Sequence, residues 1–399
     1  MRARALAAAL AVAVTAALLT PAGHAEVGTA SAQPDLTILS APDFLNTDVG
    51  DVSQLPTYDG VHNSWNESYQ TALDLILETW RSENPDHVLV AGDLVQGHWG
   101  MDSLDTGTFG PVGSAKRKRD AVRAAARFYY SEWTRRFAQH GLPRPKCAIG
   151  DHSLGDNPWR LASGGYQAFK HRSFRVFKNQ YAKHVVRGAY SRHPPKGTNA
   201  ARTAYSTWLS PEVFLVTVDV FRRTKENVNV ELDQAQLEWL DNRLAAANRN
   251  GADWLIVQGH TPVIGPVRRK SSSGLRYQGG SASAFWRTMV RHEVDLYLAG
   301  EVHDVTLKRR NAITQISHGG YMPGRTNYLM AEVYGDRMRL TIKEFPSRQY
   351  GGARFWQTDA DRWRPIGTTY QPPEVTGTAV IGKGRHLFGA SGSLKPYDP

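Results

Sequence analysis

Four apolar runs in this chain end the same way, in a glycine followed closely by a carboxylate or an imidazole. His87-Val88-Leu89-Val90 leads through Ala91 into Gly92-Asp93, and Lys146-Cys147-Ala148-Ile149 into Gly150-Asp151-His152. Trp254 to Gln258 leads into Gly259-His260, and Leu296 to Ala299 into Gly300-Glu301-Val302-His303. A further run, Leu36 to Ala41, stops at Pro42-Asp43. Short apolar runs bounded by turn residues read as buried strands. In open α/β sheets the crevice beyond the carboxyl ends of the strands is where ligands bind. A glycine ahead of the acid lets the backbone turn sharply and keeps the carboxylate accessible. One Gly-Asp pair is a common way to end a strand, but this recurrence is hard to explain by turns alone. The groups on offer are acids and imidazoles. The chain has no Gly-x-Ser-x-Gly elbow and no phosphate-binding Gly-x-x-x-x-Gly-Lys loop. Its single cysteine, Cys147, sits inside a strand run, where it reads as a small hydrophobe.

The elements that must carry these groups alternate. Between the first two strands, Tyr69 to Trp80 places Leu73, Ile76, Leu77 and Trp80 at helical spacing. Strand, helix and strand from 36 to 92 therefore predict a parallel βαβ unit. Asn46 to Asn66, rich in Asp, Gly, Pro and Asn, reads as a loop over the strand ends. Ser114 to His140 predicts a second helix, opening on Lys116-Arg117-Lys118-Arg119, a run read as a solvated face. Residues 153–200 read as a long basic excursion, of the kind that shapes a substrate pocket when it follows an active-site strand. Ala204 to Leu209 and Val213 to Val220 predict neighbouring strands turned at Ser210-Pro211, and Asp233 caps a helix carrying Leu237, Leu240 and Leu244. Residues 265–283 form a Gly/Ser/Arg-rich loop and Ala284 to His292 a helix. Close-set β runs at 305–307, 312–316, 328–333 and 338–342 read as antiparallel. Beyond about 346 the chain is Gly/Pro-rich and aromatic without clear periodicity.

At 399 residues the chain can bury one large core or two ordinary ones. With 41% hydrophobic and 21% charged residues it belongs with globular chains rather than disordered ones. A formal net charge of +11 favours anionic partners. The N-terminus reads as an export signal. Arg2 and Arg4 precede an alanine-rich apolar run from Ala5 to Leu19, with small residues offering cleavage after Ala25 or after Ala32. That run is short for a membrane anchor. The expected organisation is a signal peptide and leader at 1–32, one domain at 33–345 and a C-terminal extension at 346–399. The mature protein is expected to be secreted.

The ordered set Asp43, Gly92-Asp93, Gly150-Asp151-His152, Gly259-His260 and Gly300-Glu301-Val302-His303 resembles the calcineurin-like metallophosphoesterase superfamily. That family's pattern is Asp-x-His, Gly-Asp, Gly-Asn-His, a glycine-flanked histidine and Gly-His-x-His. The resemblance runs from about residue 36 to about residue 343. It implies an αββα sandwich of two mixed β-sheets flanked by helices, with two divalent metal ions at the strand ends. By resemblance Asp43, Asp93 and His303 hold one metal, Asp93 bridges, and Asp151, His260 and Glu301 complete the second. Such ions sit about 3.5–4 Å apart and activate a water for phosphoryl displacement. The same resemblance implies that His152 faces the phosphate and serves as the general acid for the leaving oxygen.

The chain departs from the pattern at three positions. Asp43-Phe44-Leu45 stands where the family has Asp-x-His, so Leu45 leaves one imidazole missing. Asp151 replaces the amide, and Glu301 replaces the first histidine of the last motif. Asn46, Asp48, Gln96 and His98 are candidates to fill the gap. The resulting donor set is rich in oxygen, which favours manganese, calcium or magnesium relative to zinc; iron also belongs among the candidates. Its negative charge should repel a phosphate dianion, so diesters are expected over monoesters. The expected function is a secreted phosphoesterase acting on a phosphorylated small molecule or polymer. The alternative is a degenerate member that only binds an anion, and two tightly bound ions per chain would argue against it. A nuclease ranks behind both, for no compact nucleic-acid motif is present. The sequence is silent on substrate and oligomeric state.

Overall fold

The computed structural model describes residues 33–43, 48–58, 67–101, 108–188, 190, 192–320, 326–349 and 368–398. The expected signal segment, Leu45 and Asn46 lie outside the described residues.

The first half of the chain builds parallel strands with helical crossovers. These are β1 (Leu36–Ser40), α1 (Glu67–Ser82), β2 (His87–Val90), α2 (Ala115–Gln139) and β3 (Lys146–Cys147). The helix faces follow from spacing: Leu73, Ile76, Leu77 and Trp80 of α1 are all fully buried. Ser114 starts α2 by accepting the Arg117 N–H at 3.3 Å, satisfying one of the donors that a helix N-terminus leaves open. The excursion after β3 is not a loop throughout, since α3 (Gly165–Tyr181) occupies its centre. The segment carries few aliphatic residues, and its apolar face is made of Phe169, Phe174, Phe177 and Tyr181, all buried. Next come β4 (Tyr205–Trp208), β5 (Val213–Thr217), the short hairpin β6 (Phe221–Arg223) and β7 (Val228–Val230), then α4 (Gln234–Arg249) and β8 (Trp254–Gln258). Asp233 caps α4 through the Gln236 N–H at 2.8 Å. The chain continues with α5 (Ala284–Arg291), β9 (Leu296–Ala299), β10 (Thr306–Arg310), β11 (Ile313–Ser317), β12 (Thr326–Val333), β13 (Arg337–Phe345), β14 (Ser347–Gln349) and β15 (Thr368–Tyr370). It ends with β16 (Glu374–Gly382) and β17 (His386–Gly392).

Two mixed sheets result. One runs β17-β16-β13-β12-β1-β2-β3, with β1, β2 and β3 parallel and the rest antiparallel. The other runs β10-β11-β9-β8-β5-β4, parallel from β11 to β5 with an antiparallel strand at each edge. The β10–β11 and β12–β13 pairs are antiparallel, as their spacing predicts, but β11 lies parallel to β9. Side chains alternate faces along a strand, and here each face has a core. Ile38, Leu89, Leu215, Ile256 and Leu298 share one hydrophobic cluster, which fills the space between the sheets. Their neighbours Leu39, Val88, Val90, Val216 and Val257 belong to a second cluster with α1, α2, α4 and α5. The layers are thus helix, sheet, sheet, helix.

The stretch beyond 346, where the sequence shows no periodicity, contributes β16 and β17 to the first sheet. The inward residues of β16 include Ala379 and Ile381, both fully buried. Ile381→Ala removes buried methylene groups and is expected to cost about 2–5 kcal/mol. Equilibrium urea denaturation checks this, and an unchanged midpoint would place the C-terminal strands outside the cooperative unit.

Candidate metal centre

β1, β2 and β3 run parallel, so Asp43, Asp93 and Asp151 emerge on one end of the first sheet. His260 and Glu301 leave the corresponding ends of β8 and β9 in the second. The two sets meet at the His260 ring. Its Nε2 stands 2.9 Å from Asp151 Oδ1, 3.2 Å from Asp93 Oδ2 and 3.4 Å from Glu301 Oε2. Its Nδ1 lies 2.9 Å from the Ala91 carbonyl. A carbonyl only accepts, so Nδ1 carries the hydrogen and Nε2 is directed at the acids. Ligating histidines are commonly oriented by such a second-nitrogen bond.

The local backbone is bent to make this possible. Asp43, Asp93, Glu301 and His303 have φ of 52°, 54°, 69° and 53°, in the left-handed region that side chains usually avoid. Strain of this kind clusters at functional sites. The glycines at the strand ends serve close approach. A Cβ on Gly92 would come within 2.0 Å of His260 Nδ1, and one on Gly150 within 1.9 Å of Asp93 Oδ1. Each glycine is the hollow into which a group from another strand end fits.

Asp43, Asp93, Asp151 and Glu301 are all buried, and neither oxygen of Asp43 accepts a well-formed hydrogen bond. Burial pushes the Asp43 carboxyl well above the usual range; His260 opposes this, while Asp93 and Glu301 add to it. Burial, with the adjacent Asp151, pushes Asp93 up to about 6. Burial also works to raise Asp151, but the His260 hydrogen bond and the field of His152 hold it well below its ordinary value. Burial disfavours the charged form of His260, yet the surrounding acids, Asp93 foremost, hold its pKa well above the usual one.

Donor atoms of Asp43, Asp93 and His260, of Asp93, Asp151 and His152, and of Asp151, His260 and Glu301 each gather within 4.8 Å. This donor set, with orphaned carboxylate oxygens and four buried acids, fits divalent cations that take oxygen and imidazole ligands. Six of the seven residues singled out in the sequence therefore share one cluster. His303 is buried beside it but joins none of these groups. Burial and the nearby His152 and His260 lower its pKa to about 4, which leaves the imidazole neutral. His260, rather than His303, stands with Asp43 and Asp93.

Of the candidates for the missing ligand, Asp48 is committed elsewhere. It accepts from Trp99 Nε1 at 2.7 Å and from the Gln96 N–H at 3.0 Å, and so shapes the loop after β2. That loop turns the Gln96 carbonyl to His152 Nδ1 at 2.8 Å. His98 stacks on His152 with centroids 5.6 Å apart and pairs with Asp156 at 3.0 Å. The Gln96 side chain lies 3.5 Å from His98.

Three supporting groups were not singled out as ligand-holders by the sequence. Asn157 Nδ2 donates to Asp151 Oδ2 at 2.6 Å and lies 3.0 Å from Ser273 Oγ. Ser273 Oγ and the Leu275 N–H donate to Glu301 Oε1 at 2.6 and 2.9 Å, which leaves Oε2 for the cluster. Asn157 lies in the Gly155-Asp156-Asn157-Pro158-Trp159 turn, whose Trp159 is a buried anchor. Ser273 sits in a loop whose composition alone gives no sign of this contact. His318 is buried with Nε2 3.1 Å from Ser40 Oγ and does not join the donor groups.

The profile of the calcineurin-like phosphoesterase family matches residues 47–305, well over half of the chain. The chain belongs to that family. An acid phosphatase of Aspergillus ficuum is 29% identical over 92 residues, which is 23% of this chain and 14% of that protein. The match therefore spans about a seventh of the curated relative. The solved structure of PhoD is similar with a TM-score of 0.52 at 12% identity, covering 92% of this chain and 73% of that one, a likeness of fold. The calcineurin-like phosphoesterase YfkN from Bacillus subtilis has a TM-score of 0.41 at 12% identity, over 86% of this chain and 91% of that one.

The metal-free site has a pH signature. Burial disfavours the His152 imidazolium, but Asp93, Asp156 and Asp151 outweigh it and raise its pKa from 6.5 to about 10. A histidine raised on folding adds stability that is fully present below its unfolded value and is lost as pH climbs through the folded one. His260 acts in the same direction. The melting temperature of chelator-treated protein is thus expected to fall from neutral pH to about pH 10, and His152→Gln to flatten the slope. A flat or rising profile in the chelated wild type would contradict this electrostatic account.

Proposed function

We propose that the protein is a metal-dependent phosphoesterase, and one observation supports this above others. Four buried carboxylates from two sheets converge within reach of one imidazole whose other nitrogen is already fixed. Asp43, Asp93, Asp151, His260 and Glu301 would hold two divalent cations, with His303 alongside. Bound there, the cations supply the charge that activates water and balances the phosphate oxygens. The protein's own groups do the rest. Asn157, Ser273 and the Leu275 N–H fix the direction of Asp151 and Glu301. His152, tethered through Nδ1 to the Gln96 carbonyl and with Nε2 3.8 Å from Asp156 Oδ1, is the group that would donate a proton to the leaving oxygen.

The anionic ligands at Asp151 and Glu301 favour a substrate of low charge. A phosphodiester carries one negative charge where a monoester carries about two, so the reading is a diesterase acting on a phosphorylated small molecule or polymer. Export goes with it, supported by the basic start and alanine-rich run of the N-terminus. Among the described residues no helix is long and apolar enough to cross a membrane.

Hydrolysis of bis-p-nitrophenyl phosphate by full-length protein loaded with manganese is the direct test. Asp93→Ala and His152→Ala are each expected to lower turnover by about 10²- to 10⁴-fold, with Asp93→Ala also losing bound metal. Full activity in both variants would dismiss the assignment. Run against p-nitrophenyl phosphate, the same protein should prefer the diester. A clear monoester preference would overturn the charge argument while leaving the phosphoesterase reading intact.

A further inference from the structure

Next to the carboxylate cluster lies a cavity of opposite character. α3, the segment 197–203 and β6 enclose about 510 Å³, lined among others by Arg175, Lys178, Asn199, Arg202, Thr203 and Arg223. Arg175 and Lys178 are one turn apart on α3 and so share a face. Some arginines elsewhere meet acids: Arg222 pairs with Glu231, Arg291 with Asp241 and Arg339 with Glu332. Among the described residues the side chains of Arg175, Arg202 and Arg223 have no ion pair and no hydrogen bond. The acid beneath them, Asp219, is fully buried and already engaged. It takes Lys178 Nζ at 2.5 Å, the Thr203 hydroxyl, and the Phe221 N–H at 3.0 Å. Lys178 and Asp219 cancel, so the three guanidiniums face the cavity uncompensated. Like charges held around one hollow repel unless a counter-charge enters.

We propose that this cavity is a second anion site, distinct from the carboxylate cluster, that takes a phosphate-type oxyanion. Guanidinium forks match phosphate geometry and hold it through charge-assisted bonds. The cavity is roomier than one phosphate needs, which suits a phosphate carried on a larger molecule as well as a free ion. It also adjoins the proposed catalytic centre through one residue. The Phe221 carbonyl accepts from Lys178 and Asn199, each at 2.9 Å, while the Phe221 ring packs 6.2 Å from the ring of His260.

The test is equilibrium dialysis of inorganic phosphate and pyrophosphate against the full-length, metal-loaded protein. It compares wild type, Asp93→Ala and a variant combining Arg175→Ala, Arg202→Ala and Arg223→Ala. All three arginines are exposed, so the variant is expected to fold, and circular dichroism checks that it does. The triple variant should lose one phosphate site per chain or weaken it by at least about tenfold, while Asp93→Ala keeps that site. Arg223→Lys, which keeps the charge and loses the fork, should bind more weakly than wild type and more tightly than the triple variant. Wild-type stoichiometry and affinity in the triple variant would overturn the proposal. A kinetic arm, which alone rests on the phosphoesterase reading, distinguishes the source of the anion. A KM raised only for a bisphosphorylated nucleoside, relative to p-nitrophenyl phosphate, assigns the site to the far phosphate of a substrate. Lost phosphate binding with both KM values unmoved assigns it to the free ion. A protein without turnover leaves the binding measurement valid.

Discussion

The structure depends on the mutual repulsion of acids that the fold brings together out of water. Asp43, Asp93, Asp151 and Glu301 are buried around the His260 ring, Asp43 on its Nδ1 side and the other three at Nε2, and this one imidazole can offset at most one of their charges. Burying charge without a partner is among the costliest things a fold can do. In the absence of cations the cluster answers by holding protons: Asp43 and Asp93 are pushed upward, and His260 is held protonated. The protons on these groups occupy the place that cations would take. Metal binding and protonation are therefore competing ways of satisfying one electrostatic demand, and the site's affinity for metal should rise with pH.

Geometry meets that demand only because both sheets end at the same level. His260 donates to the Ala91 carbonyl, so a side chain from β8 is stitched to the end of β2 in the other sheet. The hydrophobic filling between the sheets sets their spacing, and a change in that filling would move His260 relative to Asp93 and Asp151. The left-handed backbone at Asp43, Asp93, Glu301 and His303 is sustained by the flanking strands, whose ladders do not bend easily. Gly92 and Gly300, ahead of Asp93 and Glu301, are thus packing residues as much as turn residues. In place of Gly92, any side chain would strike the imidazole that holds the cluster together.

Local pattern carried much of this into the sequence. Leu73, Ile76, Leu77 and Trp80 announce α1 by spacing, and the repeated glycine-acid strand ends mark most of the cluster. Features that depend on long-range contact left little trace. Nothing in Ser273 itself signals a bond to Glu301, because the pair is 28 residues apart and formed by a loop folding back. The strand β16 is hidden by composition, since its inward positions include Gly377 and Ala379 alongside Ile381, too small to show alternation. Basic and aromatic residues mask α3 in the same way. His303 is the reverse case: its place in the motif resembles a ligand's, while the fold sets it beside the donor groups rather than among them.

The two anionic replacements are best understood together with their hydrogen-bond donors. Asp151 stands where the family has an amide and Glu301 where it has an imidazole, so the site gains charge at both positions. Each new carboxylate has donors facing the oxygen turned away from the cluster's centre: Asn157 on Asp151 Oδ2, and Ser273 with the Leu275 N–H on Glu301 Oε1. Such bonds disperse charge and fix which oxygen points inward, as outer-shell partners of metal ligands generally do. Asn157 and Ser273 also approach each other at 3.0 Å, so the two carboxylates are supported by one connected network. A site built this way presents single, directed oxygens rather than freely rotating carboxylates. That arrangement suits hard cations with defined coordination, and it ties the loop at 265–283 to the ligand set through Ser273 and Leu275.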